Sequence, residues 1–181
     1  MRIKVQLSEQ DFVDFNVFHV QNDESVIKGL KKQRMTSSLI IAAIGGLAAF
    51  MTKNENRIYM ILITLGLVAF TYLNFNKSIV RSIEKRTKRE IKAGRFTTAL
   101  SAVDTTIDDE GISQHEDEQR ATVKWEAIHK VYLCDDRIYL YASNAALAIP
   151  FSTLSNDEVA ELKGYIEQNV NVDLIIDKQG V

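Results

Sequence analysis

The chain has 181 residues, a formal net charge of −2 and a mean hydropathy of −0.09. One proline, eight glycines and one cysteine exclude a collagen, a low-complexity polymer, a disulfide scaffold and a multi-cysteine metal site. The length allows one full domain, or a small domain with an appendage. The near-neutral totals are averages over segments of very different charge, and those segments predict how the protein is organised.

Residues 1–34 are predicted to form an N-terminal segment with a short strand and an amphipathic helix. Residues 3–7 alternate between apolar and polar side chains, which is typical of a strand. Ser8 is then in position to cap a helix that carries aromatic side chains on one face. That face packs either on a cytoplasmic domain or on a membrane surface. We expect residues 23–28 to link this helix to the next segment.

Residues 35–76 are predicted to form a transmembrane helical hairpin. The runs 35–52 and 58–76 contain 18 and 19 residues without a charged side chain, and a short connection joins them. As helices they would span roughly 27 to 28 Å, close to the hydrocarbon core of a bilayer at about 30 Å. In lipid a helix is expected, because it pairs its own backbone groups. Two buried core helices of a globular protein are the alternative, but such helices usually carry a polar edge that these runs lack.

The charges that flank the hairpin predict its orientation. Residues 28–34 carry a net charge of +4 and residues 77–95 a net charge of +6, against +1 in the connection 53–57. Because basic segments stay on the cytoplasmic side, we expect a two-pass membrane protein with both termini in the cytoplasm. The two runs contain no Asp, Glu, His, Lys or Arg, which argues against an ion or proton pathway.

Small residues on the two spans predict where helices pack. Such residues let another helix approach closely, most simply the other span of the hairpin. Alanine and glycine are also common in any span, so ordinary composition explains them equally well. The candidate packing residues are Ala42, Gly45, Gly46, Ala49 and Gly66.

Residues 77–95 are predicted to be a basic juxtamembrane helix that continues the second span and ends near Gly94. Its basic side chains are candidates for contact with anionic lipid headgroups, at about 1 kcal/mol each close to a charged surface. The alternative is that they only orient the hairpin. Nucleic acid is not an expected partner, because the acidic segment that follows would repel phosphates. The candidate lipid contacts are Lys85, Arg86, Lys88, Arg89, Lys92 and Arg95.

Residues 96–181 carry a net charge of −10 and are predicted to form a small α+β cytoplasmic domain. Short runs of β-forming residues separated by turn residues, at 109–111, 135–136 and 143–144, predict antiparallel strands. Ser155 or Asn156 is expected to cap a helix that runs to about residue 168, and residues 170–176 to form a tail strand. The economical fold is a curved antiparallel sheet closed by the C-terminal helix. The expected strands are 102–107, 112–115, 121–125, 128–134, 137–141 and 145–151.

The sequence contains no familiar catalytic motif, phosphate-binding loop or metal-binding pattern, so neither an enzyme nor a cofactor nor a bound metal is expected. His115 precedes acidic residues at 116–118, which is more typical of a solvated loop than of a metal site. Trp125 is expected to anchor the core and His129 to lie at the surface. Acidic neighbours are expected to raise the pKa of Cys134, which disfavours a cysteine nucleophile.

Four stretches of core and turn residues also occur in a known family: Ile107-Asp-Asp-Glu-Gly-Ile112, Trp125-x-x-Ile128-x-x-Val131, Asp135-Asp136-Arg137-Ile-Tyr-Leu-Tyr141 and Ala148-Ile-Pro-Phe151. With these stretches, the opening strand and helix, and the hairpin with its basic flanks, the chain resembles the YcxB-like membrane proteins of bacteria over nearly its whole length. The resemblance implies two transmembrane helices and a C-terminal domain of pleckstrin-homology-like (PH-like) type. It brings no established catalytic motif and no assigned activity.

The favoured function is that of a membrane-anchored binding or assembly module, whose ligand is a protein partner or a second copy of the chain. The charge of residues 96–181 argues against anionic lipid as the ligand of that domain. One alternative is an enzyme with a site of unfamiliar form, which a deep pocket lined by His129 or by buried carboxylates would favour. Another is a small membrane regulator or immunity-type protein that acts inside the bilayer through the face of Gly45 and Gly46.

Overall fold

The structure, a computed structural model, describes residues 1–116, 119–143 and 145–178, and it divides into two units. Met1–Phe15 and Glu90–Val181 form the first, here called the β unit, and Asn16–Arg89 form the second, the helical unit. The first 15 residues thus fold with the C-terminal part of the chain, whereas the sequence pattern grouped them with the residues that follow. The predicted turn at residue 144, and residues 117 and 118 of the acidic loop, lie outside the described residues.

Three helices follow one another in the N-terminal half of the chain: α1 is Glu9–Asn22, α2 is Glu24–Met51 and α3 is Asn54–Lys92. They confirm the predicted amphipathic helix and the two helices over the uncharged runs. They also confirm that the second apolar helix continues without a break through the basic stretch. With 39 residues, α3 is about 58 Å long.

The predicted link at residues 23–28 is instead the first turn of α2. The carboxylate of Asp23 accepts hydrogen bonds from the backbone N–H groups of Ser25 at 2.8 Å and Val26 at 3.0 Å. It therefore satisfies donors that a helix start leaves without an internal partner. Hydrogen bonding to Ser25 and Val26 also holds the pKa of Asp23 below its usual value. No link is needed here, because the cap lets α2 begin with only Asp23 between it and the end of α1.

The end of α3 confirms the stop predicted near Gly94. Gly94 has a φ of +73°, which suits a residue without a Cβ atom. Its N–H donates to the carbonyl of Ile91 at 2.8 Å, and the N–H of Arg95 donates to the carbonyl of Glu90 at 3.1 Å. These two bonds form a Schellman motif, which satisfies carbonyls at the helix end.

Helices α2 and α3 are long and apolar enough to cross a membrane. Only 6 % of the residues in the most apolar window of each helix are buried. Leu39, Phe50 and Leu73, for example, are 61 %, 79 % and 76 % exposed. A core helix of a water-soluble protein is mostly covered by its own chain, and these two helices are not. Their apolar surface therefore requires an apolar environment from outside the chain.

The described residues of the β unit form eight strands: β1 Arg2–Val5, β2 Val103–Asp108, β3 Gly111–Glu116, β4 Gln119–Lys124, β5 Ile128–Cys134, β6 Arg137–Ala142, β7 Ala145–Pro150 and β8 Ile175–Lys178. They form two four-stranded sheets, with the orders β1-β2-β3-β4 and β7-β6-β5-β8. All neighbours are antiparallel except β5 and β8. The predicted α+β class is confirmed, with two sheets instead of one.

The last strand is parallel to its neighbour because helix α4, Asn156–Asn169, lies between β7 and β8 in the chain and brings it back in the same direction as β5. β8 also begins later than the predicted tail strand. The side chain of Asn171 accepts a hydrogen bond from the N–H of Asp173 at 3.1 Å and caps a short turn, Val172–Leu174. The first five residues of the expected strand, 170–174, are therefore outside β8.

Helix α4 closes the β unit as predicted. Ser155 and Glu158 form a capping box, in which each side chain bonds the backbone N–H of the other residue. Leu162 and Ile166 on its inner face are fully buried, in one core cluster with residues of both sheets. Trp125 also belongs to this core, although it follows β4 in a short turn instead of ending the strand.

Candidate functional site

The helices α2 and α3 pack against each other along a seam of half-buried side chains. These positions recur at intervals of three and four residues, which is the spacing of a coiled-coil seam. A Cβ atom placed on Gly45 would lie 2.8 Å from the Cβ of Thr64, so Gly45 lets the two backbones approach closely. The half-buried positions include Ser38, Ile41, Gly45 and Ala48 in α2, Thr52 at its C-cap, and Met60, Thr64, Val68, Thr71 and Phe75 in α3.

The predicted packing residues are divided between this seam and the outer surface. Gly45 is half-buried and Ala49 is buried, whereas Ala42, Gly46 and Gly66 are exposed. A Cβ atom on Gly46 or Gly66 would meet no atom within 4 Å. The residue opposite Gly45 is therefore Thr64 and not Gly66, because two residues along a helix turn a side chain by about 200°. Sequence spacing alone could not have identified Thr64, because the faces on which the two helices meet must be known first.

The basic part of α3 carries five of the candidate lipid contacts, and the sixth, Arg95, follows the end of the helix. All six side chains are exposed, and Arg95 lies 3.7 Å from the carboxylate of Glu90. The opposite face includes Thr87 and Ile91, which are buried. Exposure is compatible with contact to anionic headgroups, which stays a prediction for Lys85, Arg86, Lys88, Arg89, Lys92 and Arg95.

An ion-pair cluster around Arg137 was not predicted. Its guanidinium Nη1 lies 3.4 Å from the carboxylate of Asp11 and 3.3 Å from that of Asp14, both on α1. Nη2 and Nε donate to the carboxylate of Asp136 at 2.7 and 2.9 Å. Hydrogen bonding to Arg137 lowers the pKa of Asp136. The cluster connects the start of α1 to β6, and no local pattern links residues so far apart in sequence.

The tryptophan, histidine and cysteine named above as candidates for chemistry lie in the core or at the surface of the β unit. Trp125 is buried and its Nε1–H donates to the carbonyl of Asp108 at 2.8 Å, which confirms it as a core anchor. His129 is exposed, as predicted. Cys134 is buried, and burial more than its acidic neighbour Asp136 raises the pKa of its thiol. Among the described residues no group of three or more His, Cys, Asp or Glu side chains could hold a metal ion.

A groove of about 420 Å³ lies on the β unit beside strand β7. Ala146, Leu147 and Ala148 are consecutive lining residues, so the groove meets the edge of the strand and not only one of its faces. β7 is an edge strand, in which every second residue directs its backbone N–H and C=O groups away from the sheet. The other walls are mostly apolar and include Val5, Leu7, Phe12, Phe15, Phe96 and Val103, and their polar members are Arg95, Thr98, Ser101 and Gln114.

Aromatic contacts hold the wall of the groove that α1 contributes. The rings of Phe12 and Phe96 have centroids 4.8 Å apart, and those of Phe15 and Tyr139 have centroids 5.8 Å apart. Both distances are in the range of favourable ring pairs. The start of α1, which carries Phe12 and Phe15, is also fixed by the contacts of Arg137, so this wall of the groove is preformed.

Comparisons of the chain with family models, with curated proteins and with solved structures found no match. The geometry of the groove is therefore the guide to what the β unit does. An apolar groove next to an edge strand can accept an extended peptide, because the strand offers backbone hydrogen bonds and the groove accommodates alternate side chains of the peptide.

Proposed function

We propose that the protein is a two-pass protein of the bacterial inner membrane, with both termini in the cytoplasm, whose β unit is a non-enzymatic binding module. In this proposal the β unit is a PH-like domain similar to that of YcxB-like proteins. Its ligand is an extended segment of a partner protein or of a second copy of the chain, held in the groove beside β7. The groove with its edge strand is the observation that carries the proposal.

Three observations support the membrane location. The apolar surfaces of α2 and α3 are almost entirely exposed within the chain. Basic segments flank the hairpin at its outer ends, at +4 and +6, as expected of cytoplasmic flanks. β1 precedes the hairpin, β2 follows it, and the two strands pair in one sheet, which requires both ends of the hairpin to be on the same side of a membrane.

The charge of the β unit supports a protein ligand over an anionic lipid or nucleic acid. Residues 96–181 carry a net charge of −10, so that a polyanion approaching this surface is repelled. The groove itself is mainly apolar, with one cation, Arg95, among its lining residues. A peptide with apolar side chains on one face and few negative charges fits this combination best.

Site-specific photo-crosslinking in living cells tests the groove. A photoreactive amino acid at Ala146, in the groove, is expected to give a discrete adduct with a partner or with a second copy of the chain. The same amino acid at Gln168, an exposed position on α4, is the matched control and should give none. A further variant, Ala99→Trp, puts a large side chain at an exposed position that lines the groove. It should abolish the adduct from Ala146. Equal adducts at both positions, or an adduct that survives Ala99→Trp, would contradict the proposal.

A further inference from the structure

The helical unit contains a second pocket, of about 560 Å³, lined by residues of α1, α2 and α3. Most of its lining is apolar and includes Leu30, Met35 and Ile79. The polar lining contains two cations, Lys31 and Arg34, and no carboxylate, and every lining residue belongs to the described part of the chain. The pocket thus combines positive charge with an apolar wall.

The pocket lies at the open end of the hairpin, where the first uncharged run begins and the second one ends. Arg34 is the last charged residue before the first run, and Asn76 is the last residue of the second. The two helices are antiparallel neighbours, and the guanidinium carbon of Arg34 lies 3.7 Å from the ring centroid of Tyr72. This cation–π contact aligns the ends of the two runs at one level. In a bilayer that level corresponds to the headgroups, where aromatic side chains also concentrate.

We propose that this pocket binds one anionic phospholipid of the cytoplasmic leaflet, with its phosphate held by Lys31 and Arg34. The inference rests on the membrane location proposed above. It assigns a lipid to a site that is separate from the groove of the β unit. Asn76 supplies an amide that donates a hydrogen bond to a phosphate or ester oxygen. The guanidinium of Arg34 provides the planar donor fork that matches phosphate geometry.

A lipid fits the pocket better than a free phosphate ion. An inorganic anion uses only the two cations and leaves the apolar wall around Leu30, Met35 and Ile79 unoccupied. A phospholipid places its glycerol and the first part of an acyl chain against that wall, where contact removes apolar surface from water. Basic pockets between membrane helices on the cytoplasmic side are typical sites for anionic headgroups.

Lipid-dependent stabilisation of the purified full-length protein tests the assignment. In neutral detergent micelles, phosphatidylglycerol should raise the melting temperature, and phosphatidylcholine or millimolar inorganic phosphate should not. The double change Lys31→Gln with Arg34→Gln should weaken the response to phosphatidylglycerol by about thirtyfold in concentration, as expected for two cations near an anionic surface. Ile79→Trp fills the pocket without a change of charge and should weaken the response as well.

Lys28→Gln with Lys32→Gln is the matched control, because it removes two cations from the same basic segment that do not line the pocket. It should leave the response to phosphatidylglycerol within about twofold. An equal loss in both double variants would assign the effect to diffuse surface charge and overturn the proposal, and an equal shift with inorganic phosphate would overturn the lipid. Binding in micelles by a protein that is absent from the membrane fraction of cells would refute the membrane location alone.

Discussion

Arg137 connects two parts of the β unit that are far apart in sequence. Its side chain is only 15 % exposed and lies within 3.4 Å of carboxylates from α1 and from the turn before β6. A guanidinium in such a position is stabilising mainly because its removal leaves several carboxylates close together without a counter-charge. The sequence predicted the turn at Asp135 and Asp136 but not this role, because Asp11 and Asp14 precede the hairpin.

Replacement of Arg137 by leucine is expected to destabilise the β unit by about 2 kcal/mol, the usual effect of leaving charged partners unpaired. The matched control is Arg95→Leu, whose arginine is 70 % exposed and pairs with Glu90 at 3.7 Å. An exposed pair of this kind contributes less than about 1 kcal/mol. Denaturant unfolding in detergent checks both variants through Trp125, the only tryptophan, which is buried in the β unit. Equal effects of the two changes would refute the role of Arg137.

The hydrogen bonds between Arg137 and Asp136 make the stability of the β unit depend on pH. The pKa of Asp136 is lower in the folded protein than in the unfolded chain, because it accepts hydrogen bonds from Arg137. Its contribution is complete above the unfolded value of about 3.9 and is lost as the pH falls through the folded value. Wild-type protein should therefore lose more stability than Asp136→Asn as the pH decreases from 5 to 3. Parallel curves for the two proteins would exclude this origin.

In the hairpin of α2 and α3, the size of a residue does not by itself decide whether it lies between the two helices. Gly45, Gly46 and Gly66 are equally small, yet only Gly45 lies where a side chain would collide with the other helix. The deciding quantity is the phase of the helix, which is set by the whole seam of half-buried positions. Uncharged runs and their flanks predicted both helices, and the seam required knowledge of which faces meet.

Gly45→Val is expected to destabilise the helical unit by about 1–3 kcal/mol, because its branched side chain must displace Thr64. Gly46→Val is the matched control: it has the same effect on intrinsic helix stability and opens into space. Loss of helical circular dichroism on heating in neutral detergent measures the difference between the two proteins. A larger effect of Gly46→Val would mean that the exposed face, and not the seam, holds the helices together.

At the scale of the whole molecule, the β unit is built from both ends of the described chain. β1 pairs with β2 across an insertion of about 100 residues, and the Met1 ammonium donates to the carbonyl of Ile107 at 2.7 Å. Alternation predicted the strand at residues 3–7, and the Asp109-Glu110-Gly111 turn predicted the hairpin between β2 and β3. The partner of β1 could not be predicted, because strand pairing at such a distance leaves no local pattern.

The pairing of β1 with β2 leads to a prediction about topology. If α2 and α3 cross a membrane, the pairing requires both ends of the hairpin to lie on one side of it, and the basic flanks predict that this side is the cytoplasm. A membrane-impermeant maleimide should then label Asn54→Cys in intact spheroplasts, and Gln168→Cys only after lysis. The native Cys134 is buried with a raised thiol pKa, so it adds little background, and Cys134→Ser in the same variants removes it. Labelling of Gln168→Cys before lysis would reverse the orientation, and protection of both positions until lysis would show that α2 and α3 do not cross the membrane.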